Sequence, residues 1–383
     1  MDLLNLAVLA RSRKEQERRL PIHPRHIDRI DGDLRQRLYL ERGYGEQFGV
    51  PDEQLRQQVA GLTSREDLLA DCDIVLLPKP LLQDVKELRR GQVLWGWPHC
   101  VQDVDLTQVG IDSRLTMIAW ESMNFWSSDG SFDRHVFWAN NQLAGYASVL
   151  HGMELVGSTG QYGRALRAAV IGSGATGLGA VTALNALGVT DVDLFTHRDV
   201  STISTSGHSV QVTRLEENAD DPSRVDALFD TGRTPLGRAL ARYDVVVNCV
   251  LQDTEAPLMF VTDEEVTDFA PGSLIVDVSC DAGMGFAWAR PTSFADPLLT
   301  VGNGVSYYAV DHSPSLLWNS ATWEISEALL PHLRTVMSGP AAWEADETVR
   351  RAVEMRAGVI CNPRILSFQH RSSDYPHERR TRG

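Results

Sequence analysis

The stretch AVIGSGATGLGA is the feature that most narrows what this chain can fold into. It sets Gly172, Gly174 and Gly177 at G-x-G-x-x-G spacing, with a strand-like apolar run before it and an apolar helical segment after it. In that context the glycines have separate work: a tight turn, close approach of backbone to a pyrophosphate, and close packing of helix on strand. The start of the helix then presents unpaired N–H groups to an anion. Gly172, Gly174, Ala175, Thr176 and Gly177 are therefore the expected phosphate cradle, with Gly179 available for helix packing. The plainer reading, a strand–turn–helix that binds nothing, uses the same glycines for packing alone.

The next strand, in VDLFTHRD, ends on Thr196, followed by His197 and Arg198. A site for NAD(H) places Asp or Glu there to bind the ribose hydroxyls. A carboxylate repels a 2′-phosphate, whereas a hydroxyl followed by arginine suits one. NADP(H) is accordingly expected in preference to NAD(H), with Thr196, His197 and Arg198 at the ribose, and Asp199 facing solvent.

Around this motif, strand-like runs alternate with helical segments, the pattern of a parallel α/β sheet. LNLAVLA, CDIVLLPKP, GQVLWGWPH and RLTMIAWESM read as strands of a first region, and HPRHIDRIDGDLRQRLYLE has helix-compatible spacing. HVFWANNQLAGYASVLHGMELVG reads as a long helix between two domains, after which the pattern restarts with RAAVI, DVDLFTHR, YDVVVNCV and SLIVDVSCD. The tail, RSSDYPHERRTRG, is polar and expected to be mobile.

A chain of 383 residues has room for about two domains on the usual size prior. Its net charge of −15 argues against general binding to DNA or RNA. The apolar N-terminal run is too short to span a bilayer, and its charges follow it, so neither a membrane span nor a secretory leader is expected. Cys72, Cys100, Cys249, Cys280 and Cys361 are scattered without CxxC pairing, as reduced thiols of a cytoplasmic protein would be. Cys100 beside His99 has a nucleophile reading, but no partner signature supports it. No HExxH or spaced Cys/His set occurs, so no metal is expected.

Two apolar segments each end on one ionisable group: LLPKP on Lys79 and LWGWPHC on His99. Together with ERRLPIHP, AWESM, IVDVSCDAG and YYAVDHSPSLL, in this order, they give the chain a resemblance to the alanine dehydrogenase / saccharopine dehydrogenase superfamily, up to about residue 365. WGWPHC and AVDHSPSLL look closest to the lysine-type saccharopine dehydrogenases and the N(5)-(carboxyethyl)ornithine synthases. The resemblance implies two Rossmann-like domains, with the dinucleotide-binding domain (residues 140–309) inserted into a discontinuous substrate domain (1–139 and 310–383). It also implies roles. Arg19 matches the clamp on a substrate carboxylate, with Arg18 as its rival. Lys79 matches the lysine near the oxo group and carboxylate, and His99 the acid–base histidine. Asp281 matches an aspartate near the nicotinamide ribose and the reacting carbon. Glu121 resembles a supporting acid, and Asp311 and His312 lie on the loop that crosses the cleft.

The chemistry fits these residue types. Imine formation needs proton transfers near neutral pH, which suit histidine. A lysine ammonium polarises a carbonyl and holds developing negative charge. Alanine dehydrogenases carry asparagine near the position of His312, in a loop reading N-M-P-G, whereas this loop reads DHSPS. The expected reaction is thus NADPH-dependent condensation of a 2-oxo acid with the amine of an ornithine- or lysine-like amino acid, or its reverse. Alanine-dehydrogenase-type amination with ammonia and a non-catalytic NADP-sensing protein remain alternatives. A homo-oligomer is compatible with all three.

Overall fold

The computed structural model describes residues 3–199, 210–253 and 256–380. Contacts divide the chain into two compact units, Met1–Trp138 with Trp318–Gly383, and Ala139–Leu317.

The first unit is built on an eight-stranded sheet. From one edge the strands run Val359–Ile360, Val353–Arg356, Thr116–Ala119, Val93–Gly96, Ile74–Leu76, Leu6–Val8, Leu38–Glu41 and Gly61–Thr63. The last six are mutually parallel, and the two at the first edge are antiparallel. The central strands are unbroken apolar runs because both faces are covered. Leu6, Val8, Ile74, Leu76 and Trp95 enter one core with Ile325, Leu329 and Leu333, while Ala7, Val75, Leu94 and Met117 enter the other with Leu68, Val85 and Leu106. Strand order reverses at Leu6–Val8, and open α/β sheets form ligand sites at the carboxyl ends beside such a switch point.

The second unit carries a nine-stranded sheet whose six central strands are parallel: Val210–Glu217, Asp191–Thr196, Arg167–Ile171, Val245–Asn248, Leu274–Asp277 and Val305–Tyr308. Its order reverses between Arg167–Ile171 and Val245–Asn248. The helix Ala175–Ala186 follows the glycine turn. A Cβ on Gly179 would lie 1.9 Å from the Gln142 carbonyl oxygen, so Gly179 does serve close helix packing.

Two expectations need correction. HPRHIDRIDGDLRQRLYLE is not one helix: a 3-10 segment Pro24–Arg29 and a single turn Gly32–Arg35 lead into the strand Leu38–Glu41. The backbone is extended at Ile30 and Asp31 between the two turns, and the strand buries Leu38 and Leu40 at a period of two. The tail is packed as far as it is described. Arg371 Nη1 donates to Gln108 at 2.8 Å, and His377 Nε2 accepts from Ile360 N–H at 3.0 Å. Its polar composition concealed that these groups bond inward.

The strand ends that carry Lys79 and His99 are fixed to each other by backbone. Leu77 N–H donates to the Trp95 carbonyl at 3.1 Å, and Trp97 N–H to the Pro78 carbonyl at 2.9 Å. A Cβ on Gly96 would lie 1.9 Å from the Leu77 carbonyl oxygen, so glycine is required there. Replacing Gly96 by alanine is expected to destabilise the protein by about 1–3 kcal/mol. Gly32→Ala, at a helical position with open space around it, is expected to be neutral or to stabilise by about 0.4–1 kcal/mol. Denaturant midpoints of the two variants check this.

Candidate active site

In the first unit, Lys79, His99 and Glu121 all follow parallel strands at their carboxyl ends. The carbonyl of Lys79 accepts a hydrogen bond from Ser12 Oγ, tying it to the loop after Leu6–Val8. His99 sits at φ +50°, in the left-handed region. Its N–H donates to Glu121 Oε1 at 2.7 Å, and its carbonyl accepts from Gln102 and Asp103 N–H at 3.1 and 3.0 Å. The imidazole Nδ1 lies 3.9 Å from the same Glu121 oxygen. Burial holds the Glu121 carboxyl well above the usual range, the neighbouring Glu354 raises it further, and Lys79 opposes them.

Arg19 is 5% exposed and already grips a carboxylate. Its Nε donates to Glu17 Oε1 at 2.9 Å and Nη2 to Oε2 at 2.6 Å, and its guanidinium lies 5.1 Å from the Trp97 ring centroid. Arg18, its rival, stacks 4.8 Å from the Trp318 ring centroid. A cavity of about 430 Å³ opens at the carboxyl ends of Leu6–Val8 and Leu38–Glu41, lined in part by Arg11, Glu17, Arg18 and Glu46. Trp95 and Trp97 are buried against Trp120.

In the second unit, Gly172 has φ +104°, and a Cβ on Gly177 would lie 1.9 Å from the Gly172 carbonyl oxygen. A Cβ on Gly174 would meet nothing within 4 Å. Gly174 caps Ala175–Ala186 without a side-chain hydrogen bond to its first N–H groups. A tight turn, open space in front of it and an uncapped helix start are what a pyrophosphate needs, so these residues fit a dinucleotide. Thr196 is buried at the end of the adjacent strand, 2.9 Å from Ser173 Oγ, and its Oγ1 accepts from Arg198 N–H at 3.1 Å. His197, Arg198 and Asp199 are exposed.

Asp281 lies in the loop after Leu274–Asp277, and burial raises its carboxyl above the usual range. That loop is shaped by Asp277, which is fully buried. It accepts from Tyr307 Oη at 2.7 Å, Asn248 Nδ2 at 2.9 Å and Cys280 N–H at 3.1 Å. Burial nevertheless pushes Asp277 up to about 6. Asp311 and His312 follow Val305–Tyr308, with His312 buried and its Nδ1 2.8 Å from Asp311 Oδ1.

Sequence reasoning passed over Glu17, His135, Asp277 and Glu354. His135 is partly buried, its Nδ1 accepting from Phe137 N–H at 3.0 Å, and desolvation lowers it to about 4. Glu354 is an acid in the largely buried strand Val353–Arg356, and Asp277 ends the apolar run Leu274–Asp277. An acid embedded in a buried strand was the available signal. Cys100 is fully buried and its thiol is held well above its ordinary value by that burial, which disposes of the nucleophile reading. Among the described residues, no group of three or more His, Cys, Asp or Glu is placed to hold a metal, and no helix is long and apolar enough to cross a membrane.

Comparison with known proteins identifies the family. Residues 8–140 match the alanine dehydrogenase/PNT N-terminal domain model, and residues 142–363 the C-terminal domain model. An N(5)-(carboxyethyl)ornithine synthase of Clostridium botulinum is 23% identical over 327 residues, covering 83% of this chain and 90% of that protein. An alanine dehydrogenase of Mycobacterium tuberculosis is 24% identical over 350 residues, covering 86% of this chain and 88% of that one. The fold matches a solved L-alanine dehydrogenase with a TM-score of 0.74 at 22% identity, covering 95% of this chain and 99% of the other. A transhydrogenase from Sinorhizobium meliloti matches with a TM-score of 0.67 at 19% identity, covering 94% and 99%. With both of its regions matched, the chain belongs to the alanine dehydrogenase/PNT family and is an NAD(P)-dependent oxidoreductase.

Proposed function

We propose that the enzyme uses NADPH to condense a pyruvate-like 2-oxo acid with the amine of an ornithine- or lysine-like amino acid, giving an N-carboxyalkyl amino acid, or catalyses the reverse oxidation. The observation that carries this reading is the junction of Lys79 and His99, locked by the Trp97–Pro78 hydrogen bond at the carboxyl ends of adjacent parallel strands. An amine attacking a ketone sheds a proton, and the carbinolamine gains one as water leaves. His99 moves these protons, and Lys79 holds the oxo oxygen and its developing charge. A bound reduced nicotinamide supplies the hydride that the C=N carbon receives. Arg19 receives the oxo-acid carboxylate by exchange with Glu17, while Asp281 lies by the nicotinamide ribose. Asp311 and His312 border the amine's side.

An amino acid is favoured over ammonia because the cavity beside this edge presents both signs of charge: Arg11 and Arg18 suit a carboxylate, and Glu17 and Glu46 an ammonium. The buried Asp311–His312 pair also fills the loop where the resembling alanine dehydrogenases carry asparagine. NADPH is favoured because the second strand of the dinucleotide unit ends on buried Thr196, with exposed Arg198 two residues on. All five cysteines are free, which suits a reducing compartment, and we read this as the cytoplasm.

NADPH oxidation with pyruvate is expected with ornithine or lysine as co-substrate, and to be much slower with ammonia. A larger kcat/KM with ammonia overturns the condensation reading, and nucleotide binding without turnover across a panel of amines overturns catalysis. Replacing His99 by glutamine is expected to lower kcat about 10²–10⁴-fold. Replacing Arg198 by alanine removes a charged contact to the 2′-phosphate and is expected to raise KM for NADPH about 10–100-fold. KM for NADH should stay within about twofold, since NADH lacks that phosphate. Equal loss with both cofactors would refute the NADPH preference.

A further inference from the structure

Glu121 and Glu354 form a pair of carboxylates that the reaction scheme above does not use. Glu354 comes from the antiparallel strand Val353–Arg356, beside Thr116–Ala119, and is 2% exposed. Its Oε1 accepts from Ser122 Oγ at 2.8 Å and from Asn362 Nδ2 at 3.0 Å. Glu121 Oε1 accepts from His99 N–H. The other oxygen of each, Glu121 Oε2 and Glu354 Oε2, is buried without a hydrogen-bond partner. Glu354 is also the strongest charge acting on Glu121. Two neighbouring carboxylates with their second oxygens sealed from water repel each other unless a proton lies between them.

We propose that Glu121 and Glu354 share one proton between their buried oxygens, and that Glu354 thereby acts as a positioning residue for His99. The proposal rests on the reading of His99 as the proton-transfer group and names a residue that supports it. One proton joins the pair, leaving a single negative charge, and Oε1 of Glu121 stays a strong acceptor for the His99 N–H. Losing that proton puts a second charge in the pocket and drives the carboxylates apart, which loosens the turn that carries His99. The groups facing the pair are Lys79 and His99 from the loops after Ile74–Leu76 and Val93–Gly96, the Cys100 thiol, and the neutral His135 ring beneath the Glu121 backbone. Burial raises both carboxyls, in the direction that keeps a proton on the pair at neutral pH. Lys79 alone opposes this for Glu121 among those side chains, while Ser122, Asn362 and Cys100 lower Glu354 without reversing its shift.

The test uses the full-length enzyme with ¹³C-carboxyl-labelled glutamate and isotope-edited infrared spectroscopy. Wild type should show a protonated carboxyl stretch at neutral pH that disappears in Glu354→Gln and in Glu121→Gln, because a glutamine amide then donates to the remaining carboxylate. The alkaline limb of kcat/KM should move up by about one pH unit in Glu354→Gln, since the second ionisation is gone. Glu354→Ala, which leaves Glu121 without a donor, should lose at least about tenfold in kcat while its folded state is checked by circular dichroism. A wild type without the band, a band that survives both glutamine variants, or a Glu354→Gln profile that superposes on wild type overturns the proposal. None of these results touches the rate loss expected for His99→Gln. A full rate in His99→Gln with the band present instead overturns the acid–base reading of His99 and leaves the shared proton standing.

Discussion

One carboxylate oxygen holds His99 in a backbone conformation that histidine seldom adopts. A non-glycine residue in the left-handed region costs about 1–3 kcal/mol when the surroundings impose it, and His99 is there at φ +50°. A hydrogen bond to a charged acceptor contributes about 1.5–3 kcal/mol, a neutral one about 0.5–1.5. The Glu121–His99 bond at 2.7 Å offsets more of the strain the more anionic character Glu121 keeps. That bond and the Gly96–Leu77 approach beside it fix the loops that carry His99 and Lys79 at neighbouring strand ends.

The second unit solves the same problem with Asp277. Where a parallel strand stops, the N–H groups of the following loop have no ladder to join, and a buried carboxylate collects them. Asp277 takes Cys280 N–H while Tyr307 and Asn248, from the flanking strands, orient it. Cys280 is turned to φ +47°, which sets the direction of Asp281. Both units thus use an acid at the carboxyl edge to shape the loop that carries the candidate catalytic residue. In each the strained residue, His99 or Cys280, is itself the donor of that acid's hydrogen bond.

The α/β class, the glycine turn and the strands that end on Lys79, His99 and Glu121 were legible because each leaves a local trace: an unbroken apolar run, fixed glycine spacing, one ionisable residue at the end. The supporting acids left weaker traces. Glu354 meets Ser122 across 232 residues of chain and Asn362 only eight residues on, and no local pattern announces either contact. Glu17 lies in the charge run RSRKEQERR, where solvated faces are the usual outcome; its bidentate grip on Arg19 depends on a loop geometry that spacing does not encode. The segment before Leu38–Glu41 misled because a 3-10 turn, a single helical turn and the start of a strand together imitate helical spacing.

The Glu17–Arg19 pair also bears on how substrate is bound. Its side chains are 1% and 4% exposed, so the guanidinium is already desolvated and paired. A substrate carboxylate entering there exchanges one carboxylate for another, and the net gain from that contact is small, because the pair being broken is as buried as the pair being formed. Releasing Glu17 returns a buried anion to the pocket, and that anion is most stable with an ammonium beside it. Such an exchange favours a ligand that carries both a carboxylate for Arg19 and a cation for Glu17. Under the proposed function the oxo acid would meet the first requirement and the amine of its co-substrate the second, so that recognition of the two would meet at a single buried ion pair.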